Sequence, residues 1–217
     1  VAVVTAGGGQ PMAGEAESAH RTTTTTPPPG PAFAARPDWT TLSNPASGLS
    51  YQIPPTDWST NPQVGSVGSL TLAQGAERAG YTCGIPLERL IRGELGSGSA
   101  PRVDPTSLAD STVQAAATQY YSTGGAPPAI SVDSAQPVQR KTAHGQTLHG
   151  VLVTATAGQH ADPCLASRGE VLVFVLQFPD HDGVLLVDAD VAGGPASPAP
   201  ATDRELRAIV GTATPTS

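Results

Sequence analysis

Lysine is almost missing from this chain: Lys141 is the only one. Lysine and arginine together number 11 against 18 aspartates and glutamates, a formal net charge of −7. Nucleic-acid phosphates need clustered cations, and so does an anionic membrane surface, so neither is an expected partner. The charge mainly favours solubility. Aromatic residues are also scarce, at 4%. The apolar opening, residues 1–6, is far too short to span a bilayer. No G-x-S-x-G occurs, which excludes the nucleophile elbow of a Ser-His-Asp hydrolase. The Gly/Ser-rich segments 65–69 and 96–100 lack the lysine, or the strand-to-helix context, of a phosphate loop. No internal repeat is visible.

Cysteine is limited to Cys83 and Cys164, in no metal or redox spacing. In an oxidising compartment such a pair forms a disulfide, and closing so long a loop contributes roughly 4 kcal/mol in the chain-entropy model. The competing reading is two buried thiols in a cytosolic protein. The even count and the signs of export favour the bond.

Proline and glycine are plentiful, 22 and 24, and unevenly placed. Residues 1–36 hold glycines 7–9, threonines 22–26 and prolines 27–29. Such a segment cannot bury enough apolar surface to offset its ordering entropy. It reads as a disordered Thr/Pro/Gly-rich linker or stalk, and residues 37–217 as a single globular α+β domain that carries the net charge. The opening reads either as the tail of a removed signal or transmembrane segment or as an arbitrary start. The stalk beside it tips the expectation toward an extracytoplasmic protein, membrane-tethered or secreted.

Within the domain, residues 170–178 form the organising stretch. Leu172, Phe174, Leu176 and Phe178 share one face and Val171, Val173 and Val175 the other. A strand apolar on both faces is central and covered on both sides. Residues 179–183 turn it into a partner strand over 184–191. Alternation predicts further hairpins at 40–43 with 49–53 and at 138–142 with 147–157, the latter turned by His144-Gly145. Gly150 suggests a bulge or a close backbone approach. Residues 64–72 are weakly β. Leu87, Leu90 and Ile91 have helical spacing after Pro86, and residues 93–100 read as a flexible loop. Asp104 and Pro105 start a helix over 105–122 with the stripe Leu108, Val113, Ala116, Ala117, Tyr120 and Tyr121. The capping box Thr202-Asp-Arg-Glu205 opens a last helix with Leu206, Ile209 and Val210 inside.

Residues 48–54, Gly-Leu-Ser-Tyr-Gln-Ile-Pro, with Trp58 shortly after, resemble the opening of PsbP-like domains, including secreted lipoproteins of the LpqN type and actinobacterial membrane-anchored domains of unknown function. The order of helix, hairpins and last helix continues the resemblance over residues 38–214. It implies an α-β-α sandwich around an antiparallel sheet. It also implies a binding or assembly-support protein rather than an enzyme, with no catalytic residues to carry over.

The candidate constellations are few. Asp188 and Asp190 share a strand face, beside Asp180, His181 and Asp182 in the turn. Converging carboxylates can hold a hard cation. The favoured reading is a polar turn, and a strand leaving the core so that the two carboxylates are solvated. His160 and Asp162 with Cys164 could suggest zinc or an activated thiol, but no second ligand pair is evident. His149 reads as a half-buried structural residue. Trp39, beside the linker, is the candidate partner contact, with packing of the first turn as its competitor. The expectation is a non-enzymatic, extracytoplasmic binding or assembly-support domain with no assigned metal, cofactor or catalytic residue. Its partner is an unidentified protein or cell-envelope component. The alternative is a metal-dependent or hydrolytic cell-envelope enzyme using His160, Asp162 and the Asp180–Asp190 region.

Overall fold

The turn residues 44–48 fold β1 (Thr40–Asn44) onto β2 (Leu49–Ile53), with Gly48 at φ 69°. Three long strands follow, β3 (Trp58–Val67), β4 (Leu70–Cys83) and β5 (Glu88–Ala100), each antiparallel to the next. Helix α1 (Pro105–Tyr121) begins where expected: the Asp104 carboxylate accepts from the Ser107 N–H, and Pro105 needs no partner at the first position. Next come β6 (Ala129–Val132) and the hairpin of β7 (Gln136–Lys141) with β8 (Thr147–Gly158), turned at His144-Gly145. The organising stretch lies in β9 (Ala166–Gln177), paired with β10 (Asp182–Gly193). Helix α2 (Asp203–Gly211) is capped by Thr202, whose hydroxyl accepts from the Glu205 N–H, and β11 (Thr214–Pro215) returns to β2. This computed structural model describes residues 36–84, 87–124, 126–158 and 162–216. The linker expected at 1–36 therefore lies, but for Arg36, outside the described residues.

The main sheet has the order β3-β4-β5-β10-β9-β8-β6, with β7 also on β8, and a small sheet has the order β1-β2-β11. Leu172, Phe174 and Leu176 enter one core with Tyr51, Trp58, Leu185, Leu206 and Ile209. Val171, Val173 and Val175 enter the other with Val184, Leu186 and the α1 residues Ala109, Val113, Ala116 and Ala117. One face of the sheet is thus covered by α1 and the other by α2 and the small sheet. The two-faced alternation of the central strand reports this arrangement directly.

The expected α-β-α sandwich is corrected. Strand residues make up 55% and helical residues 15% of the structure, with two helices, so the fold is a β-rich, mostly antiparallel one. The difference lies in residues 58–100, which form three long strands. The helix expected after Pro86 is absent among the described residues there: Leu90 and Ile91 lie in β5, and Leu87 is 75% exposed. The flexible loop expected at 93–100 is buried strand. Its small residues serve packing rather than mobility: a Cβ on Gly98 would lie 2.3 Å from the Thr71 carbonyl oxygen. Ser97 is fully buried, its carbonyl accepting from Asn44 Nδ2 at 2.8 Å and its hydroxyl lying 3.2 Å from Tyr51 Oη. Gly150 meets the close approach expected of it, since a Cβ there would sit 1.9 Å from the Val175 carbonyl. His149 is exposed rather than half-buried, because it faces outward where β7 and β8 pair.

Candidate functional site

Sheet register builds the site. Glu77 on β4 stands opposite Glu94 on β5, and Glu94 stands opposite Asp188 on β10. Three carboxyl groups therefore lie side by side across three neighbouring strands. Directly opposite residues have Cβ atoms about 5 Å apart, and like charges placed so are destabilising. The row ends against the last turn of α1. There Tyr121 donates its hydroxyl to Asp188 Oδ1 at 2.6 Å, and Tyr120 hydrogen-bonds Glu94. The Tyr121 ring packs against Gly169, where a Cβ would sit 1.9 Å from Tyr121 Cζ. Only glycine at 169 leaves the ring room to reach Asp188.

These groups line a cleft of about 470 Å³ with Arg89, Leu90 and Asp190. Arg89, largely exposed, reaches Glu77 Oε2 at 3.4 Å from the rim. Asp190 is held from behind by Arg92, a fully buried guanidinium. Arg92 Nη1 donates to Asp190 Oδ2 and to the Gly193 carbonyl, both at 3.1 Å, Nε donates to the Pro198 carbonyl at 3.1 Å, and Nη2 donates to the Pro195 carbonyl. Its plane also sits 4.7 Å above the Tyr81 ring. One arginine therefore neutralises a cleft carboxylate and anchors the loop that leads to α2.

Burial dominates the ionisation of this cleft. It pushes Asp188 well above the usual carboxylate range, against the Tyr121 hydrogen bond, and it pushes Asp190 up to about 6 against the pull of Arg92. It raises Glu94 too, with Glu77 adding repulsion. Groups whose folded pKa exceeds the unfolded value bind more protons when folded. Their stabilisation is complete below the unfolded value, near 4, and is lost as pH rises through the folded value. Asp104 and Asp180 act oppositely, lowered by hydrogen bonds from Ser107 and His181, but both are fully exposed. Thermal melts from about pH 4.5 to about pH 7 should therefore show a melting temperature that falls by about 5–10 °C. In Asp188→Asn part of that slope should vanish, the rest belonging to Asp190 and to Glu170 on β9, which burial raises as well. A melting temperature rising across this window would contradict the assignment.

The Asp188 and Asp190 expectation is corrected here. Neither is solvated at the strand's end, being 6% and 8% exposed. The strand does not leave the core there: Tyr121 of α1 closes over Asp188 and Arg92 over Asp190. Asp182 lies six residues back along β10, on the order of 20 Å away. It is fully buried and accepts the Val103 N–H at 3.0 Å, fixing the approach to α1. Exposed Asp180 pairs with His181 Nδ1 at 2.8 Å, and His181 stacks on Phe178. The turn and the acidic cleft are thus separate places. Cys83 and Cys164 are bonded, joining the end of β4 to the segment before β9. Asp162 accepts the Cys164 N–H at 2.7 Å, and His160 lies outside the described residues. Trp39 is half-buried against the core, with the Arg36 guanidinium 4.7 Å above its ring. Among the described residues, no group of three or more His, Cys, Asp or Glu side chains is arranged to hold a metal ion. No helix among them is long and apolar enough to cross a membrane.

Glu77, Glu94 and Arg92 were missed in the sequence because their strands were not recognised. The signal was there: Arg92 and Glu94 alternate with Ile91, Gly93 and Leu95, a period of two hidden by glycine.

A formed disulfide belongs to an oxidising environment and points outside the cytoplasm. The profile of one family, described as a domain of unknown function (DUF8017), matches residues 33–217. No curated protein matches the chain. The family match carries no link to PsbP-like or LpqN-type domains. With most of its length matched, the chain belongs to the DUF8017 family.

Proposed function

We propose that this DUF8017 domain is a non-enzymatic, membrane-tethered extracytoplasmic binding or assembly-support module. Its acidic cleft receives a cationic group presented by a protein or cell-envelope partner. The observation that carries this reading is the in-register row of Glu77, Glu94 and Asp188 inside a cleft. Opposed carboxyls weaken a sheet that stands alone, whereas an ammonium or guanidinium between them offsets the repulsion. Tyrosine walls suit such a group, because ring faces attract cations. Arg89, largely exposed and in contact with Glu77, shows the kind of contact a partner's cation would make. Binding is favoured over catalysis because the cleft carboxyls have partners: half-buried Glu94 with Tyr120, buried Asp188 with Tyr121, buried Asp190 with Arg92. Trp39 remains the candidate second contact. One observation favours a hydrolytic reading, a buried Asp188 carboxyl lining the cleft whose pKa burial raises well above the usual range.

The probe is pentalysine, with a neutral peptide of equal length as control. Carboxyls must ionise to receive a cation, so affinity rises with pH through the range where Asp190 titrates. Calorimetry at low salt should show binding about tenfold tighter near pH 7.5 than near pH 5, and a similar loss for Glu94→Gln. The neutral peptide should not bind. A folded domain that ignores pentalysine, or binds it equally after Glu94→Gln, sinks the proposal.

A further inference from the structure

Helix α2 rests on a buried acid. Glu170 on β9 projects to the side of the sheet that α2 covers and is 5% exposed. Its Oε1 lies 3.5 Å from Arg207 Nη2, a long contact to a partly exposed guanidinium. Its Oε2 is buried and finds no hydrogen-bond partner among the described residues. A carboxylate accepts on both oxygens, and one left without a donor out of water is costly. A protonated carboxyl carries no net charge to desolvate. The surroundings point the same way. From α2, Asp203 repels a negative Glu170 and favours its protonated form by hydrogen bonding, while Arg207 attracts the negative form; from β9 itself, Arg168 attracts it, although Arg168 also reaches Asp203 at 3.8 Å. The residues opposite on β8 and β10 are Thr156 and Ala189, which carry no charge. Across the sheet, the Tyr121 phenol of α1 feels the same group.

We propose that Glu170 is a proton latch for α2: the helix docks tightly while Glu170 holds a proton and loosens as the acid ionises. Two of the polar ties that hold the helix to the sheet beneath are the Glu170 contact and one made by Glu205. Glu205 accepts from Trp58 Nε1 on β3 at 2.7 Å and from Arg78 Nε on β4 at 3.1 Å. Burial raises Glu170 to about 7, with Asp203 adding to the rise, so the latch works around neutrality. The sign follows from linkage: the folded state binds the extra proton, and the stabilisation is lost as pH rises through the folded value.

Amide hydrogen exchange, corrected for the intrinsic rate at each pH, reads the latch directly. Between about pH 6 and about pH 8, protection of α2 should fall about tenfold relative to β9. In Glu170→Gln that fall should disappear. Asp203→Asn removes the repelling charge and should move the midpoint to lower pH. Arg207→Gln removes the attracting one and should move it to higher pH. A structural role alone would produce no such opposed shifts. Protection that stays flat in the unaltered chain overturns the proposal, as does a fall that survives Glu170→Gln. Should Glu170→Gln not fold, midpoints that fail to move in opposite directions in the other two variants overturn it as well.

Discussion

Arg92→Ala should destabilise the domain by about 3–5 kcal/mol, the cost of breaking a buried pair from one side. The guanidinium is fully buried, so the groups it satisfies lie away from bulk solvent. Its loss strands the Asp190 carboxylate and three carbonyls, those of Gly193, Pro195 and Pro198. These carbonyls belong to the end of β10 and the loop that leads from it to α2, so the variant should also loosen α2. Lysine is a poor substitute, since one ammonium cannot reproduce a fork that serves four acceptors. Arg89→Ala, in contrast, removes a rim contact from a side chain that is 72% exposed, and should stay within about 0.5 kcal/mol. Chemical denaturation of the two variants side by side decides the matter. Equal effects would mean that the loop is held by something other than Arg92.

Phe174→Ala should cost about 3–5 kcal/mol, as truncation of a large core side chain does. The ring is fully buried between the central strands and the α2 layer. It also seats Arg140, whose guanidinium lies 5.2 Å over the ring while its Nε donates to the Ala213 carbonyl at 2.7 Å. The cavity would therefore unseat a contact that ties β7 to the chain's end. Asp180→Ala in the exposed turn should remain within about 0.5 kcal/mol. Similar midpoints in denaturant for the two variants would show that the stability centre lies elsewhere.

Much of the fold was legible because its signals are local. The faces of β9, the caps Asp104 and Thr202, and the turns at 44–48 and 144–145 each follow from a few adjacent residues. The middle of the chain was not legible for an equally physical reason. In β5, glycine and serine occupy positions where neighbouring backbone approaches closely, and such residues carry none of the apolar alternation that marks a strand. The candidate site shared that fate. Asp188 and Asp190 were singled out, but their partners lie on strands that composition disguised, and they looked solvated only because nothing local announced the cover above them.

The sequence alone determined the central apolar hairpin, the two capped helices and the cysteine pair, since periodicity, capping chemistry and an even count need no neighbours to be read. Tertiary structure alone decided that Glu77, Glu94 and Asp188 stand in one row, that Arg92 is spent on three loop carbonyls and Asp190, and that Glu170 lies under α2. Register between strands far apart in the chain sets which side chains are opposite, and burial sets which of them keep their protons. Neither quantity exists until the sheet has closed.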